Sequence, residues 1–259
     1  MTPTKEILSL AVEIGDVMLR NGAEIYRVED SVIHILKAFE VESFDVYVLS
    51  NGIFASANEN KDDACSMIRH VPLGSMNLAK ITALNQLTRD ICNHQCSIED
   101  AWGKLESCKN LASYKLITQV FSCAVGCSAF CYIFGGTVVD AAIAFAIGII
   151  EQFFLYFCKR TRMSRIFTNL FTSFFDAGLT ILMLLTPLPL LADKVIIGAI
   201  MPLVPGIAFT TAIRDIYNGD YLSGTIHLID ALMTALCIAV GVLLAWSFAR
   251  MIGGGAFAL

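Results

Sequence analysis

Four acidic side chains lie within the long apolar stretches of the second half of this sequence: Asp140, Glu151, Asp176 and Asp230. A charge at the centre of a membrane-spanning helix costs about 2.5–3.5 kcal/mol on insertion scales, so such residues are expected to face protein or water and often mark a pathway. Asp176 is the clearest case, because it lies near the middle of its apolar stretch with Thr172 and Ser173 on the same helical face. We predict a transport or proton-relay role for it, with a buried structural role as the alternative.

The other three acids have less central positions. Asp140 and Glu151 are separated by about three helical turns, so they share one face at different depths. Together they could form a polar track across a membrane, or each could reach the interface. Asp230 lies near the start of the last apolar stretch, where a carboxylate also suits the positive end of a helix. All three are pathway candidates with a structural alternative.

A second kind of signal is the run Met201-Pro-Leu-Val-Pro-Gly206 inside the fourth apolar stretch. Pro202, Pro205 and Gly206 predict a kinked or unwound helix at membrane depth. Irregular backbone there must be buried in protein or face water, and such breaks bind ions and substrates in transporters. A kink without a ligand is the alternative. Beyond the break, the polar line continues with Thr210, Arg214 and Asp215. Arg214 could attract an anionic substrate group.

The cysteines predict no metal site. They number nine, an odd count, and four lie in the first half. Cys123, Cys127 and Cys131 recur every four residues, which would suit soft-metal ligands or a stripe of small residues that lets helices approach closely; we favour the stripe. Zinc-type CxxC spacing and glycine-rich phosphate loops are absent from the sequence, so neither a metal nor another cofactor is predicted.

Composition divides the chain that must position these residues into two parts. The 259 residues are 56% hydrophobic and 16% charged, which indicates a membrane protein. Residues 1–112 carry ten basic and sixteen acidic side chains, whereas residues 113–259 carry eight and seven. An acidic first half without a basic patch argues against nucleic-acid binding. The amino terminus also lacks the apolar core of a secretory signal.

Residues 1–112 are predicted to form a cytosolic α+β domain of order ααβββαα. Hydrophobic periodicity indicates the helices, alternation indicates the strands, and Asn51-Gly52 is a strong hairpin turn. Ser97 provides an amino cap for the last helix. The helices are predicted at 5–20, 23–40, 77–93 and 97–110, and the strands at 44–50, 53–58 and 65–71.

Residues 113–259 are predicted to form an all-α, polytopic membrane domain of about five transmembrane helices. The spans are predicted at 114–134, 138–157, 166–185, 194–213 and 227–249. Residues 214–225 are expected to form a loop that contains Ser223-Gly224. The basic loop after the second span should be cytosolic, which places the amino terminus in the cytosol and the carboxyl tail, including Gly253–Gly255, outside. That loop carries Lys159, Arg160, Arg162 and Arg165.

Several separated motifs, in the same order, resemble the threonine/serine exporter family over nearly the whole chain. In the first half they are 21–29 (NGAEIYRVE), 50–54 (SNGIF) and 77–81 (NLAKI). In the second half they are Pro205-Gly206, 212–215 (AIRD) and 218–224 (NGDYLSG). The resemblance implies an efflux carrier of a plasma (inner) membrane, which exports threonine and serine in some members and dicarboxylates such as succinate in others.

The same resemblance implies a partner. Full-length family members join this module to a second, smaller membrane module, whereas this sequence ends at Leu259 and is similar to the larger subunit of split, two-component members. We therefore expect a second small membrane subunit, a small-molecule substrate, a lipid bilayer and a possible homo-oligomer. A proton gradient fits the membrane carboxylates as the driving force.

Two other classes were weighed. A membrane-anchored sensor, whose first domain binds a small ligand, would need fewer spans than five. An intramembrane hydrolase could use Asp140 and Asp176, but neither lies in a GxGD segment, and Ser223-Gly224 lacks a GxSG nucleophile context. The sequence therefore favours a transporter without enzyme activity.

Overall fold

The computed structural model describes residues 3–58, 62–72, 74, 76–112, 114–161 and 163–253. The chain forms two compact units. The first contains Met1–Ser113 and Thr211–His227, and the second contains Tyr114–Thr210 and Leu228–Leu259. Arg162 and residues 254–259, which include part of the predicted basic loop and tail, lie outside the described residues.

The amino-terminal part of the first unit has the predicted order of helices and strands. Its helices and strands are α1 (Pro3–Arg20), α2 (Ile25–Ala38), β1 (Phe44–Leu49), β2 (Gly52–Ala57), β3 (Cys65–His70), α3 (Leu78–Cys92) and α4 (Ile98–Lys109). The strands form one antiparallel sheet of order β1-β2-β3. The first hairpin differs from the prediction by one residue, because Leu49 pairs with Gly52 and the turn residues are Ser50 and Asn51.

One hydrophobic core organises this region, and α1 lies at its centre. Leu8, Ile14 and Met18 are completely buried, as expected for a helix with apolar residues around most of its circumference. Helix α1 contacts α2, α3 and α4 as well as β2 and β3. Ser97 caps α4 as predicted, since its hydroxyl accepts a hydrogen bond from the Asp100 N–H.

The apolar part of the chain is helical. It contains α5 (Leu116–Ile133), α6 (Val138–Arg160), α7 (Arg165–Met183), α8 (Ala192–Ile200), a 3-10 turn (Met201–Leu203), α9 (Gly206–Tyr217) and α10 (Tyr221–Gly253). Within the described residues, four helices (α5, α6, α7 and α10) are long and apolar enough to cross a membrane. A fifth crossing is counted if α8 and α9 form one broken span.

Small residues let the first membrane helices approach each other closely. A side chain at Gly148 would collide with Ala124 and Cys127, and one at Gly198 would collide with Cys131. Cys127 and Cys131 are themselves fully buried. The cysteine stripe of α5 therefore packs against α6 and α8 as a small-residue interface, which is the interpretation that the sequence favoured.

The predicted loop at 214–225 is wrong. Only residues 218–220 separate α9 from α10, and Gly219 allows the tight turn because its φ is +93°. Ser223 and Gly224 are therefore helical. Helix α10 has 33 residues, or about 50 Å at 1.5 Å per residue, which exceeds a hydrocarbon core of about 30 Å. Its first turns belong to the first compact unit instead.

Candidate functional site

The fourth apolar stretch is broken, as its prolines predict. Helices α8 and α9 meet at 57°, with the 3-10 turn and Val204-Pro205 between them. Pro205 has no N–H to continue a helix, and the Gly206 N–H bonds to the Val204 carbonyl at 2.8 Å, a turn rather than a helical bond. Helix α9 therefore starts anew at Gly206, with the partial positive charge of a helix amino terminus.

A cavity of about 350 Å³ lies beside this break, within the second unit. Residues 202–208 form one wall, and the other walls come from α6, α7 and α10. Its polar side chains are Arg165, Asn169 and Thr234. Arg165 lies 3.3 Å from Asp230, measured between Nη1 and Oδ2, and both side chains are partly exposed.

This cavity has the chemistry to hold a small zwitterion. A substrate carboxylate would find Arg165 and the amino terminus of α9. An ammonium or hydroxyl group would find Asn169 and Thr234, while Asp230 does not line the cavity and meets it only through its ion pair with Arg165. Of the predicted site residues, the structure places Pro202, Pro205 and Gly206 on the cavity wall and Asp230 against Arg165.

Asp230 differs from its predicted setting. It was expected near the amino end of its helix, yet α10 begins at Tyr221, nine residues earlier. Its carboxylate is therefore too far along the helix to benefit from the dipole, which acts within the first turn. The ion pair with Arg165, rather than the helix dipole, accounts for an acid at this position. Sequence reasoning used Arg165 only for orientation, and no local motif marked it as a cavity residue.

Glu151 and Asp176 are deeply buried, each with only 1% of its surface exposed. The thiols of Cys123 and Cys127 each donate a hydrogen bond to Glu151 Oε2, with Sγ–Oε2 distances of 3.4 and 3.5 Å. Glu151 Oε1 and Asp176 Oδ2 have no hydrogen-bond partner among the described residues. The hydroxyls predicted near Asp176 do not bond its carboxylate: Thr172 and Ser173 donate to carbonyls of their own helix.

Cys123, Cys127 and Glu151 also form the one group of potential metal ligands found among the described residues, with ligand atoms within 4.8 Å. Hydrogen bonds from the two thiols to one carboxylate oxygen account for this arrangement. We therefore describe it as a hydrogen-bonded cluster. The sequence could not show it, because Glu151 comes from another helix than the two cysteines.

Asp140 has a defined structural position. It is fully buried, and with Thr137 it forms a capping box at the start of α6. Its Oδ2 accepts from the Thr137 N–H at 2.7 Å, and its Oδ1 accepts from the Leu191 N–H at 2.9 Å, just before α8. Both oxygens are therefore used to join two helix starts, which favours the structural alternative over a pathway role.

Arg214 and Asp215 lie in the helical hairpin formed by residues 211–227, which belongs to the first unit. Arg214 forms an ion pair with Glu24, and Asp215 bonds His227 at 2.9 Å, between Oδ2 and Nδ1. The Ser50 N–H donates to Ser223 Oγ at 3.2 Å. Arg214 therefore has an acidic partner within the first unit, as Arg165 has one within the second.

Two acids near this hairpin, Glu29 and Asp220, have raised pKa values. Burial raises the pKa of Glu29, the Val48 N–H opposes that rise through a hydrogen bond at 3.4 Å, and the charges of Asp220 and Asp30 add to it. Burial also raises the pKa of Asp220. Thr210, one turn before Arg214 on α9 and in the second unit, is exposed, and its hydroxyl donates to the Ile207 carbonyl.

Comparison with known proteins identifies the family. Residues 9–249 match the ThrE family model, described as "Putative threonine/serine exporter". No curated protein and no solved structure matches the chain. The match covers most of the chain, and its apolar helices agree with a multi-pass membrane protein. The chain belongs to the threonine/serine exporter family.

Proposed function

We propose that this chain exports threonine and serine through the second unit and that the cavity beside the broken helix is the substrate site. The observation that carries the proposal is the combination of a helix break and a cavity that contains three polar side chains in an otherwise apolar unit. Broken helices in transporters expose helix ends that bind substrates, and Arg165 supplies a partner for a carboxylate. Succinate, which some family members export, offers the same carboxylate chemistry.

Proton coupling would use Asp176 and Glu151. Their two unpartnered oxygens lie inside the membrane unit, where a carboxylate without a cationic partner is costly in its charged form. Taking up and releasing a proton changes that charge, so either residue could link proton movement to substrate movement. Asp140 has no such freedom, because backbone N–H groups occupy both its oxygens.

The orientation follows from the charges at one membrane face. Lys159 and Arg160 end α6 and Arg165 begins α7, and basic residues favour the cytosolic side. The amino-terminal domain, two spans earlier, would then be cytosolic and the carboxyl tail outside. We further propose that a second small membrane subunit completes the exporter in the plasma (inner) membrane, in a complex that could contain more than one copy of this chain.

The substrate site is tested by threonine efflux from loaded cells that co-express the chain with its candidate partner. Arg165→Ala should reduce efflux at least about tenfold, because a charge-assisted hydrogen bond contributes roughly 1.5–3 kcal/mol. Lys159→Ala is the matched control, since it removes a nearby exposed charge that does not line the cavity. Efflux by Arg165→Ala equal to the control would refute this site. Loading with succinate in parallel distinguishes the substrate classes.

A further inference from the structure

A second polar cavity lies in the first unit, between α2 and α3. It has a volume of about 600 Å³ and none of its lining residues belongs to the apolar helices. Its lining includes a tyrosine, two arginines, a histidine, an aspartate and two asparagines: Tyr26, Arg27, Asp30, His34, Asn85, Arg89 and Asn93. We call it the α2–α3 groove. Tyr26 and Arg27 come from the family-like motif at 21–29, which the membrane site leaves unexplained.

The charge of the groove is opposite to that of its surroundings. Residues 1–112 carry six more acidic than basic side chains, yet the groove contains two arginines and one aspartate. Arg89 donates through Nε and Nη2 to Gln86 Oε1, at 3.2 and 2.6 Å. A neutral partner orients the guanidinium without neutralising it. Arg89 therefore keeps a positive charge available for an anionic group.

The negative charge of the groove, on Asp30, is also available to a ligand. The Asp30 carboxylate has no ion-pair or hydrogen-bond partner in the part of the chain that the structure describes; only its backbone carbonyl is bonded, by His34 Nδ1 at 2.7 Å. Asn85 and Asn93 add amide donors and acceptors. An uncommitted cation, an uncommitted anion and neutral amides in one groove suit a small zwitterion.

We propose that the α2–α3 groove binds a small α-amino acid, with the carboxylate at Arg89 and the ammonium group at Asp30. That this ligand is the exported amino acid, read at its cytosolic concentration, rests on the proposed function. The groove would then be a regulatory site separate from the cavity beside the broken helix, and its occupancy would report how much substrate is available for export.

Glu24 connects the groove to the hairpin at 211–227. Arg27, on the groove wall, lies 2.9 Å from Glu24 Oε2, measured from Nε, while Glu24 Oε1 pairs with Arg214. The Arg27 Nε–H donates to the Tyr26 hydroxyl. Glu24 Oε2 therefore lies close to the positive charge of Arg27 but accepts no hydrogen bond. A carboxylate in the groove that attracts Arg27 would weaken its hold on Glu24 and strengthen the Glu24–Arg214 pair.

The test is calorimetric titration, with threonine and separately with succinate, of the purified full-length chain carrying Arg165→Ala, in detergent, so that the cavity beside the broken helix does not contribute to the heat. Arg89→Ala should weaken threonine binding at least about tenfold, the effect of losing roughly 1.4 kcal/mol of charge-assisted bonding. Lys37→Ala is the matched control, because it removes a basic side chain from α2 that does not line the groove. Arg89→Lys, which keeps the charge, should recover part of the affinity and separates a binding defect from misfolding.

The outcomes separate this site from the membrane cavity. Threonine binding that survives Arg89→Ala but is lost in Arg165→Ala would overturn the groove proposal and leave the export proposal intact. Binding of succinate in place of threonine would overturn the zwitterion assignment, because Asp30 would repel a second carboxylate. Absence of heat with either ligand in the wild-type chain would overturn the groove as a site, whatever the efflux assay shows.

Discussion

Asp176 is the residue on which a proton-coupled mechanism depends most. It is 1% exposed in the middle of α7, one carboxylate oxygen lacks a described partner, and the hydroxyls of Thr172 and Ser173 bond backbone carbonyls instead of this carboxylate. A residue kept only for structure would be expected to have both oxygens satisfied, as Asp140 does. The contrast between these two buried aspartates therefore points to function at Asp176.

Asp176→Asn should abolish threonine efflux while leaving the protein inserted in the membrane. The amide has nearly the same size but cannot take up or release a proton, so coupling should fail without a packing defect. Efflux from loaded cells and the amount of protein in the membrane fraction measure the two effects. Asp193→Asn, at an exposed acid in the first turn of α8, is the control. Normal export by Asp176→Asn would reduce Asp176 to a structural role.

At this scale, the sequence identifies the acids of the apolar stretches but does not predict their partners. The acids in apolar stretches were identifiable from their cost in lipid. Their partners were not, because the Leu191 N–H, the two thiols at Glu151 and the Arg165 side chain all come from other helices. Arg214 shows the same limit, since its partner Glu24 lies far away in the chain.

At the scale of helices, the contact between α7 and α10 depends on one small residue. A Cβ at Gly241 would collide with the Ser173 hydroxyl and with the backbone carbonyl of Leu170. A carbonyl of α7 cannot rotate away as a side chain can, so the two helices would have to separate. Asp176 lies less than one turn from Ser173, so this contact also supports the surroundings of the buried acid.

Gly241→Ala should destabilise the membrane unit and reduce efflux. Overpacking of this kind typically costs about 1–3 kcal/mol, which we expect to appear as a lower unfolding temperature of the detergent-purified protein. Gly126→Ala in α5 is the matched control, because a Cβ there meets no atom within 4 Å. Equal unfolding temperatures for the two variants would contradict the close packing of α7 and α10.

The element boundaries show which sequence signals are reliable. Two prolines and a glycine predicted the break between α8 and α9, because proline removes a backbone donor wherever the helix lies. The polar run at 214–225 was wrongly predicted to be a loop because its hydropathy is low. All of those residues except 218–220 are helical, and their polar side chains include Ser223, which accepts a hydrogen bond from Ser50 of the amino-terminal domain.

At the scale of the whole molecule, the division of the chain does not follow the division of the sequence. Composition separated residues 1–112 from the rest, whereas the first compact unit also contains Thr211–His227. This hairpin is continuous with the broken helix on one side and with α10 on the other. The hairpin and the cavity beside the broken helix therefore share two helices, because α9 contributes Gly206 and α10 contributes Thr234 to the cavity wall.

Exchanging the charges of Glu24 and Arg214 tests this connection. Glu24→Arg alone places a third cation beside Arg27 and Arg214, and Arg214→Glu alone places two anions together, so each should reduce threonine efflux by repelling the hairpin from α2. The double variant restores an opposite-charge pair between positions 24 and 214 but leaves position 24 beside Arg27, so it should recover efflux in part, above either single variant. The pair is partly exposed and an exposed pair contributes only about 0–1 kcal/mol, so the recovery tests position more than stability. Additive losses in the double variant would show that Glu24 and Arg214 do not act as a pair. The Ser50–Ser223 hydrogen bond would then be the contact that holds the hairpin.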